Sequence, residues 1–146
     1  MQLAPSLHRI GSTLVNSYLV EESGLVTIVD AGLPGYWNDL PGELAAMGRT
    51  LDDVRAVVLT HGDTDHIGFA ERIRRDRGVP VYVHELDAVR ARGEVKKPNA
   101  GWGPVKLAPL LGFLFYTARK GGLRIQPVTK VVTVSDGATL DVPGSL

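Results

Sequence analysis

Apolar and polar residues follow one another along the chain in patterns that predict strands and helices in turn. Segments rich in β-branched residues at 13–20 and 25–32, joined by the turn residues EESG, predict a β-hairpin. The run VRAVVLT at 54–60 is almost continuously apolar, which is typical of a strand buried on both faces. The segment VPVYVH at 79–84 predicts one more short strand.

Helical spacing appears between these strands. Helices are predicted at 38–48, at about 67–77 and at 85–93, and glycines at 48, 78 and 93 are placed to end them. The apolar segment 105–122 is interrupted by Pro109 and Gly112 and is too short to span a bilayer, so it predicts a helix over a core or a pocket. The last segment, 130–144, predicts a β-hairpin with SDGA at its turn. Strands that alternate with helices indicate the α/β fold class.

Composition limits the kinds of function that need to be considered. The chain has 146 residues, of which 44% are hydrophobic, so one domain spanning residues 1–146 is expected. Lys plus Arg equal Asp plus Glu at 16 each, which gives no positive field for nucleic acid or anionic lipid. There is no cysteine, so any metal must be held by His, Asp or Glu. No apolar run of about 18 residues or leader pattern is present, so a soluble, cytoplasmic protein is expected.

One short segment concentrates the residues that bind metals. The stretch VVLTHGDTDHIGF, residues 57–69, places two of the four histidines and two aspartates within six positions, directly after the predicted buried strand: His61, Asp63, Asp65 and His66. Imidazole nitrogens and carboxylate oxygens ligate zinc, manganese and iron, and a short loop can aim alternate side chains at two neighbouring ions. The start of the next helix, near Ile67 and Gly68, adds a positive end beside them.

A purely structural interpretation remains open from the residues alone. Asp65 would cap the following helix, Asp63 would form an Asx-turn, and both histidines would be surface residues. A calcium loop is disfavoured because calcium prefers six to eight oxygens and avoids imidazole. Four residues that can ligate a metal, all close to a strand end, favour the metal hypothesis.

This stretch closely resembles the signature loop of the metallo-β-lactamase superfamily, whose usual form is T-H-x-H-x-D-H-x-G. RIGSTLVNSYLV, VTIVDAG and VYVHELD agree with the family on either side of it, so the resemblance covers residues 7–144. It implies an αββα sandwich, here with its C-terminal portion truncated, and a centre of one or two metal ions that activates water for hydrolysis.

The resemblance also assigns roles to residues. His61 and Asp63 would bind the first ion, and Asp65 and His66 the second. Asp65 would also act in catalysis by orienting the attacking hydroxide, and Asp30 would support the loop from behind the ligands. Zinc is the expected metal, with manganese or iron as alternatives.

Two departures from the family pattern qualify these expectations. Asp63 stands where the family has its second histidine, which makes the first site more negative. The family's later histidine ligands have no counterpart before the chain ends at DVPGSL, and His8 and His84 are interpreted as structural or solvated. We therefore expect an incomplete domain, weak or lost metal binding, and an exposed apolar sheet face that a homodimer would cover.

The leading functional hypothesis is a metal-dependent hydrolase that acts on a small-molecule ester, thioester or lactone. Nucleic acid and membrane are not expected as partners, and the arginines at 72, 74, 75 and 77 are interpreted as the solvated face of a helix. The apolar segment around residues 110–116, with Trp102, would line a pocket or belong to the core. The alternative function is a truncated, catalytically inactive member of the superfamily that serves as a binding or assembly module.

Overall fold

A single mixed β-sheet, flanked by four helices, organises the part of the chain that the computed structural model describes, residues 1–95 and 107–146. The strands are β1 (Gln2–Ala4), β2 (Leu7–Gly11), β3 (Asn16–Glu22), β4 (Leu25–Val29), β5 (Val54–Leu59), β6 (Val81–His84) and β7 (Val132–Val134). The helices are α1 (Leu40–Ala46), α2 (Ala70–Arg77), α3 (Glu85–Ala91) and α4 (Leu107–Arg119). The α/β class predicted from the sequence is confirmed.

The strands lie in the sheet in the same order as in the sequence. β1 to β4 pair antiparallel, through short turns, whereas β4 to β7 pair parallel and are joined by connections that contain the helices. Right-handed crossovers that advance in one direction place their helices on one face of the sheet. Because β4, β5 and β6 are parallel, their carboxyl ends lie along one edge of the sheet, and the loop that carries the candidate metal ligands follows β5 at this edge.

The core lies between the sheet and the helices. Leu19, Ile28, Val57 and Val81 are register partners across four adjacent strands, and each is at most 1% exposed. Leu40 and Leu44 of α1, and Ala70 and Ile73 of α2, belong to the same buried cluster. Each fully buried aliphatic side chain stabilises the fold by about 1.5–3 kcal/mol relative to an exposed one.

The opposite face of the sheet also carries an apolar row. Tyr18, Val29, Val58 and Tyr82 are register partners across β3 to β6, and all four are only half-buried. The row ends at Val132 of β7, which is 42% exposed. A partly exposed apolar sheet face was expected from the sequence, and the described residues show one.

Two predictions about local structure are wrong, and two strands were missed. Residues 130–144 do not form a hairpin, because β7 pairs parallel with β6 and residues 135–146 contain no strand. The helix predicted from about residue 67 begins at Ala70, since Gly68 N and Phe69 N donate hydrogen bonds to the segment after β4. The N-terminal strands β1 and β2 were not predicted at all.

The apolar segment near the C-terminus forms α4, as predicted. Within residues 1–95 and 107–146, no helix combines the length and apolarity needed to cross a membrane. Trp102, suggested as part of a pocket wall, lies outside the described residues.

Candidate metal centre

The segments that follow β4 and β5 are joined by backbone hydrogen bonds. Ala31 N donates to His66 O at 2.7 Å, and Gly68 N donates to Gly32 O at 2.9 Å. A Cβ on Gly68 would lie 2.3 Å from Gly32 O, so the two backbones approach too closely for any larger residue. The loop with the candidate ligands is therefore held against the end of the neighbouring strand.

Asp30, at the end of β4, is the residue around which this loop is organised. It is 5% exposed, and its Oδ1 accepts a hydrogen bond from Thr60 N at 2.9 Å while Oδ2 accepts one from Thr60 Oγ1 at 2.8 Å. His66 Nδ1 lies 2.8 Å from Oδ2, at an angle that departs from a good hydrogen bond. Asp30 has a φ of 59°, a left-handed conformation that costs a non-glycine residue free energy and is concentrated at functional sites.

The two histidine rings lie side by side, with centroids 3.9 Å apart. Thr60 Oγ1 is 3.0 Å from Nδ1 of His61, and Asp30 is next to Nδ1 of His66. In both rings the Nδ1 atom therefore faces the supporting residues, which leaves Nε2 for a ligand. A carboxylate or hydroxyl behind a ligating histidine fixes the orientation of its ring.

Each free Nε2 atom is accompanied by a carboxylate. His61 Nε2 lies 3.6 Å from Asp63 Oδ2, and His66 Nε2 lies 3.5 Å from Asp65 Oδ2. Two ligands of one tetrahedral zinc, each at about 2.0–2.1 Å, are roughly 3.3 Å apart. Both pairs consequently fit two ligands of one ion, and their chemistry suits zinc, manganese or iron. Among residues 1–95 and 107–146, no group of three or more such side chains is arranged to hold an ion.

The charge around His66 is dominated by its acidic neighbours. Burial by itself would lower the pKa of His66, but the contact with Asp30 and the charges of Asp65 and Asp63 outweigh burial, so its pKa is raised. The excess of negative charge at the loop favours a cation there, whether a proton or a metal ion.

The structural interpretation of the loop does not account for Asp65. The residue before α2 is Phe69, and no side chain caps this helix. Asp65 is instead 37% exposed and faces His66 Nε2. The two other histidines have structural surroundings: His8 is buried with its Nδ1 2.6 Å from Glu43 Oε1, and His84 accepts a hydrogen bond from Leu86 N at the start of α3.

A cavity of about 330 Å³ opens next to the loop. Asp63 and Asp65 lie at one side of it, and Arg90 of α3 is a cationic residue in its lining. Its apolar walls come from Ile67, Val95, Ile125 and Pro127. None of the described α4 side chains lines this cavity; Phe113 and Tyr116 pack against the core instead. Phe113 therefore fits the core interpretation of the apolar segment, whereas Tyr116 also lines a separate cavity beside Ser12 and Lys120.

Sequence reasoning missed two residues of the site, Thr60 and Arg90. Thr60 directly precedes His61, so its position at the strand end was a signal for a supporting role. Arg90 lies three residues after Asp87 on α3, which predicts an ion pair on the helix but gives no sign of the contact with the loop.

The arginines of α2 are all paired with carboxylates. Arg74 pairs with Glu71 at 2.8 Å, Arg72 and Arg75 with Asp76 at 3.6 and 2.9 Å, and Arg77 with Asp52 at 2.5 Å. This arrangement is typical of a solvated helix face rather than of a surface prepared for phosphates.

Comparison with known proteins gives the family. The metallo-β-lactamase superfamily model matches residues 10–144. The chain is 28% identical over 102 residues to the probable metallo-hydrolase YflN of Bacillus subtilis, which is 68% of this chain and 39% of YflN. It is 31% identical over 94 residues to ribonuclease J 1 of Streptococcus pyogenes, 60% of this chain and 17% of that protein.

The fold agrees with that of solved structures. A metallo-β-lactamase of Cronobacter sakazakii with a HARLDQ motif superimposes with a TM-score of 0.68 at 18% identity, covering 99% of this chain and 50% of that one. The chain thus spans at most half the length of these three proteins. With a family match that includes nearly all of its residues, the chain belongs to the metallo-β-lactamase superfamily.

Proposed function

We propose that this chain carries half of the metal centre of a hydrolase that acts on small-molecule esters, thioesters or lactones. The observation that supports the proposal is the pairing of two imidazole nitrogens with two carboxylates at 3.5–3.6 Å on one loop, with Asp30 and Thr60 behind them. His61 with Asp63 would hold one ion, and Asp65 with His66 the other. A bound ion supplies a water of lowered pKa and a Lewis acid for the acyl oxygen.

The roles of the residues follow from their contacts. Asp30 fixes the His66 ring, and Thr60 fixes His61. Asp65 is 37% exposed and lies at the cavity, which supports a role for it in orienting an attacking water and accepting its proton. Each ion would have two donors from this loop, one fewer than the three protein ligands of a catalytic zinc. The proposal therefore includes at least one further donor for each ion from outside this loop, supplied by a second copy of the chain.

The cavity supports a small substrate with an apolar group. Its volume of about 330 Å³ lies at the lower end of the usual range for ligand pockets, and four apolar side chains form its walls. The balanced ion pairs of α2 do not favour nucleic acid, although ribonuclease J 1 is among the relatives. The cytoplasmic location expected from the sequence remains a prediction.

Metal content is the first test. We would measure zinc, manganese and iron in the purified chain by elemental mass spectrometry, together with the double variant His61→Ala/His66→Ala. His84→Asn is the matched control, because His84 lies outside the loop and Asn also accepts the hydrogen bond at a helix start. We expect one or two ions per chain, lost in the double variant and retained in the control.

Metal binding would then justify a substrate screen. Hydrolysis of esters, thioesters or lactones, abolished by Asp65→Asn, would support the proposed substrates, whereas hydrolysis of phosphodiesters alone would contradict them. A chain that contains no metal in any sample would contradict the hydrolase proposal.

A second candidate, a catalytically inactive binding or assembly module, is favoured by the half-buried apolar row on the open face of the sheet. A homodimer that covers this row is the assembly we propose for it. Concentration-dependent dimerisation without metal, lost on Val58→Lys, would support this candidate over the hydrolase. Arg55→Lys on the same strand is a control, because Arg55 is already exposed.

A further inference from the structure

The departure of this loop from the usual family motif is accompanied by a second unusual feature, a guanidinium next to the substituted position. Asp63 stands where the motif has a histidine, and its Oδ1 lies 3.6 Å from Arg90 Nη1. Its other oxygen, Oδ2, lies 3.6 Å from His61 Nε2. The carboxylate is thus oriented with one oxygen toward α3 and the other toward the candidate metal position.

Arg90 is itself held in place. Its Nη1 donates a hydrogen bond to Asp87 Oδ1 at 2.8 Å, one helical turn earlier on α3. The side chains of Asp63, Asp87 and Arg90 are 14%, 22% and 37% exposed, so this chain of contacts is only partly accessible to water. Partial burial strengthens such ion pairs relative to those on an open surface.

Backbone packing keeps the loop close to Arg90. A Cβ on Gly62 would lie 2.6 Å from Ala91 N and 2.7 Å from Asp87 O, so the loop touches the backbone of α3 directly. Any side chain at position 62 would separate the loop from the helix. The contact between Asp63 and Arg90 therefore results from the way in which two elements pack, and not from two flexible side chains meeting in solvent.

We propose that Arg90 is a positioning residue for Asp63: held by Asp87, it binds one oxygen of the Asp63 carboxylate and presents the other to the metal beside His61. A neutral histidine has one ring nitrogen with a free lone pair, whereas an unsupported carboxylate can rotate and offer either oxygen or both. Arg90 thus allows an aspartate to act as a metal ligand at a position where the family motif has a histidine. This inference rests on the proposed function, because it takes the loop to be a metal site.

A merely structural role for Arg90 would predict different results in variants of Arg90 and Asp63. If Arg90 only fastened α3 to the loop, its removal would lower the stability of the metal-free protein, whichever residue stood at position 63. A positioning role depends on the carboxylate, so it disappears when Asp63 is replaced by histidine. The repulsion between Arg90 and a bound cation is present in both backgrounds and cancels when the two are compared.

The test is a double-mutant cycle on the full chain. We would measure the zinc dissociation constant, by competition with a chromogenic chelator, for the unsubstituted chain, Arg90→Ala, Asp63→His and the double variant. Urea unfolding without zinc would be recorded for each. Arg92→Ala is the matched control, since Arg92 is the next arginine along the chain and pairs with Glu94. Arg90→Lys retains the charge without the planar fork and serves if Arg90→Ala does not fold.

We expect Arg90→Ala to weaken zinc binding about tenfold when Asp63 is present, and by less than twofold in the Asp63→His background. Arg90→Lys is expected to fall between the unsubstituted chain and Arg90→Ala. Equal changes in the two backgrounds, or zinc binding that is undiminished by Arg90→Ala, would overturn this inference and leave the proposed function standing. An unsubstituted chain that binds no zinc would overturn both.

Discussion

Residues 1–95 and residues 107–146, the two described parts of the chain, are stabilised by different kinds of contact. Residues 1–95 contain six of the seven strands, and of the buried apolar residues described only Val128 and Val142 lie in residues 107–146. The second part is connected to the first through polar contacts, of which Glu71 with Thr129, Tyr36 with Tyr116 and Asp39 with Lys120 are the clearest. Residues 107–146 also contact the core through Phe113, Ile125 and Val131 and pair through β7 with β6. Apolar burial therefore dominates the first part, whereas apolar, backbone and polar contacts together position the second.

This difference determines where the site can lie. The candidate ligands follow β5, a strand that pairs with β4 on one side and with β6 on the other, so the loop starts from a backbone held by hydrogen bonds on both sides. Residues 107–146 contribute Ile125 and Pro127 to the cavity wall but supply none of the four candidate ligands. We infer that the second part shapes the space for a substrate, whereas the first part carries the chemistry.

The largest effect is expected at the centre of the first part, from Asp30→Ala. The substitution leaves Thr60 N and Thr60 Oγ1 without their acceptor and removes the partner of His66. Hydrogen bonds to a charged group contribute about 1.5–3 kcal/mol each, so we expect the free energy of unfolding to fall by about 4 kcal/mol. Urea denaturation measures it.

Two further substitutions at this position separate the causes. Asp30→Gly also removes the carboxylate but tolerates the φ of 59°, so it should be about 1 kcal/mol more stable than Asp30→Ala. Asp30→Asn keeps the size and tolerates the left-handed conformation, and should lose about half as much as Asp30→Ala. If all three variants were as stable as the parent, Asp30 would not organise the loop.

The position of the ligand loop could be predicted from the sequence because two strong signals coincide there. VRAVVLT predicts a buried strand, and four ligand-type residues follow at once, so the strand end and the cluster had to lie together. The contact between Asp63 and Arg90 could not be predicted. It joins residues 27 positions apart through a close backbone approach at Gly62, which leaves no periodic pattern in the sequence.

The next largest effect on stability is expected where Glu71 of the first part contacts Thr129 of the second. Glu71 accepts hydrogen bonds from Arg74, Thr129 N and Thr129 Oγ1, at 2.8–3.0 Å. The Arg74 side chain, with Thr129, lowers the pKa of Glu71 from 4.5 to about 2. Because the pKa is lower in the folded state, the carboxylate contributes stability above about pH 4.5, and this contribution is lost as the pH falls toward 2.

The fall of the Glu71 pKa from 4.5 to about 2 corresponds to a contribution of about 3 kcal/mol, at 1.36 kcal/mol for each pH unit. Glu71→Gln should therefore be less stable than the parent at pH 7, and the difference should shrink between pH 4.5 and 2. Urea unfolding of both proteins across this range tests it. Asp136→Asn, which removes a carboxylate in an exposed turn, is the matched control. If the difference in the free energy of unfolding between the two proteins stayed constant with pH, the charge of Glu71 would not stabilise its contact with Thr129.

The C-terminal hairpin was predicted wrongly because its first strand pairs with β6, which is distant in sequence. KVVTVSDGATLDVPG has the alternation and turn residues of a hairpin, but Val132 to Val134 pair parallel with β6, and Val142 is buried without joining a strand. A local pattern cannot reveal that a distant strand offers a better partner. The strands β1 and β2 were missed because a segment with Pro5, His8 and Arg9 has no clear alternation, although His8 is buried against Glu43.

A smaller effect is expected where α4 meets the first part. The Tyr36 hydroxyl donates to Val15 O and shares a hydrogen bond with the Tyr116 hydroxyl, each at 2.8 Å. Tyr116→Phe removes one neutral hydrogen bond and should lower the free energy of unfolding by about 1 kcal/mol. Tyr36→Phe removes both and should cost more. If the two variants and their double combination showed simple additivity, the shared bond would contribute nothing to the connection between the parts.

The smallest effect is expected on the outer side of α4. Phe115 is 68% exposed, whereas Phe113, two residues earlier, packs against the core. In an isolated chain Phe115→Ala should change the free energy of unfolding by no more than about 0.5 kcal/mol, because an exposed side chain has little burial to lose. Phe113→Ala on the same helix should cost about 2 kcal/mol, and it shows that the measurement can detect a buried ring. Urea denaturation at two protein concentrations measures both substitutions and shows whether their effects depend on association between copies. A loss from Phe115→Ala that grows with protein concentration would mean that a second copy of the chain covers this helix, and that contact between copies also holds residues 107–146 in place.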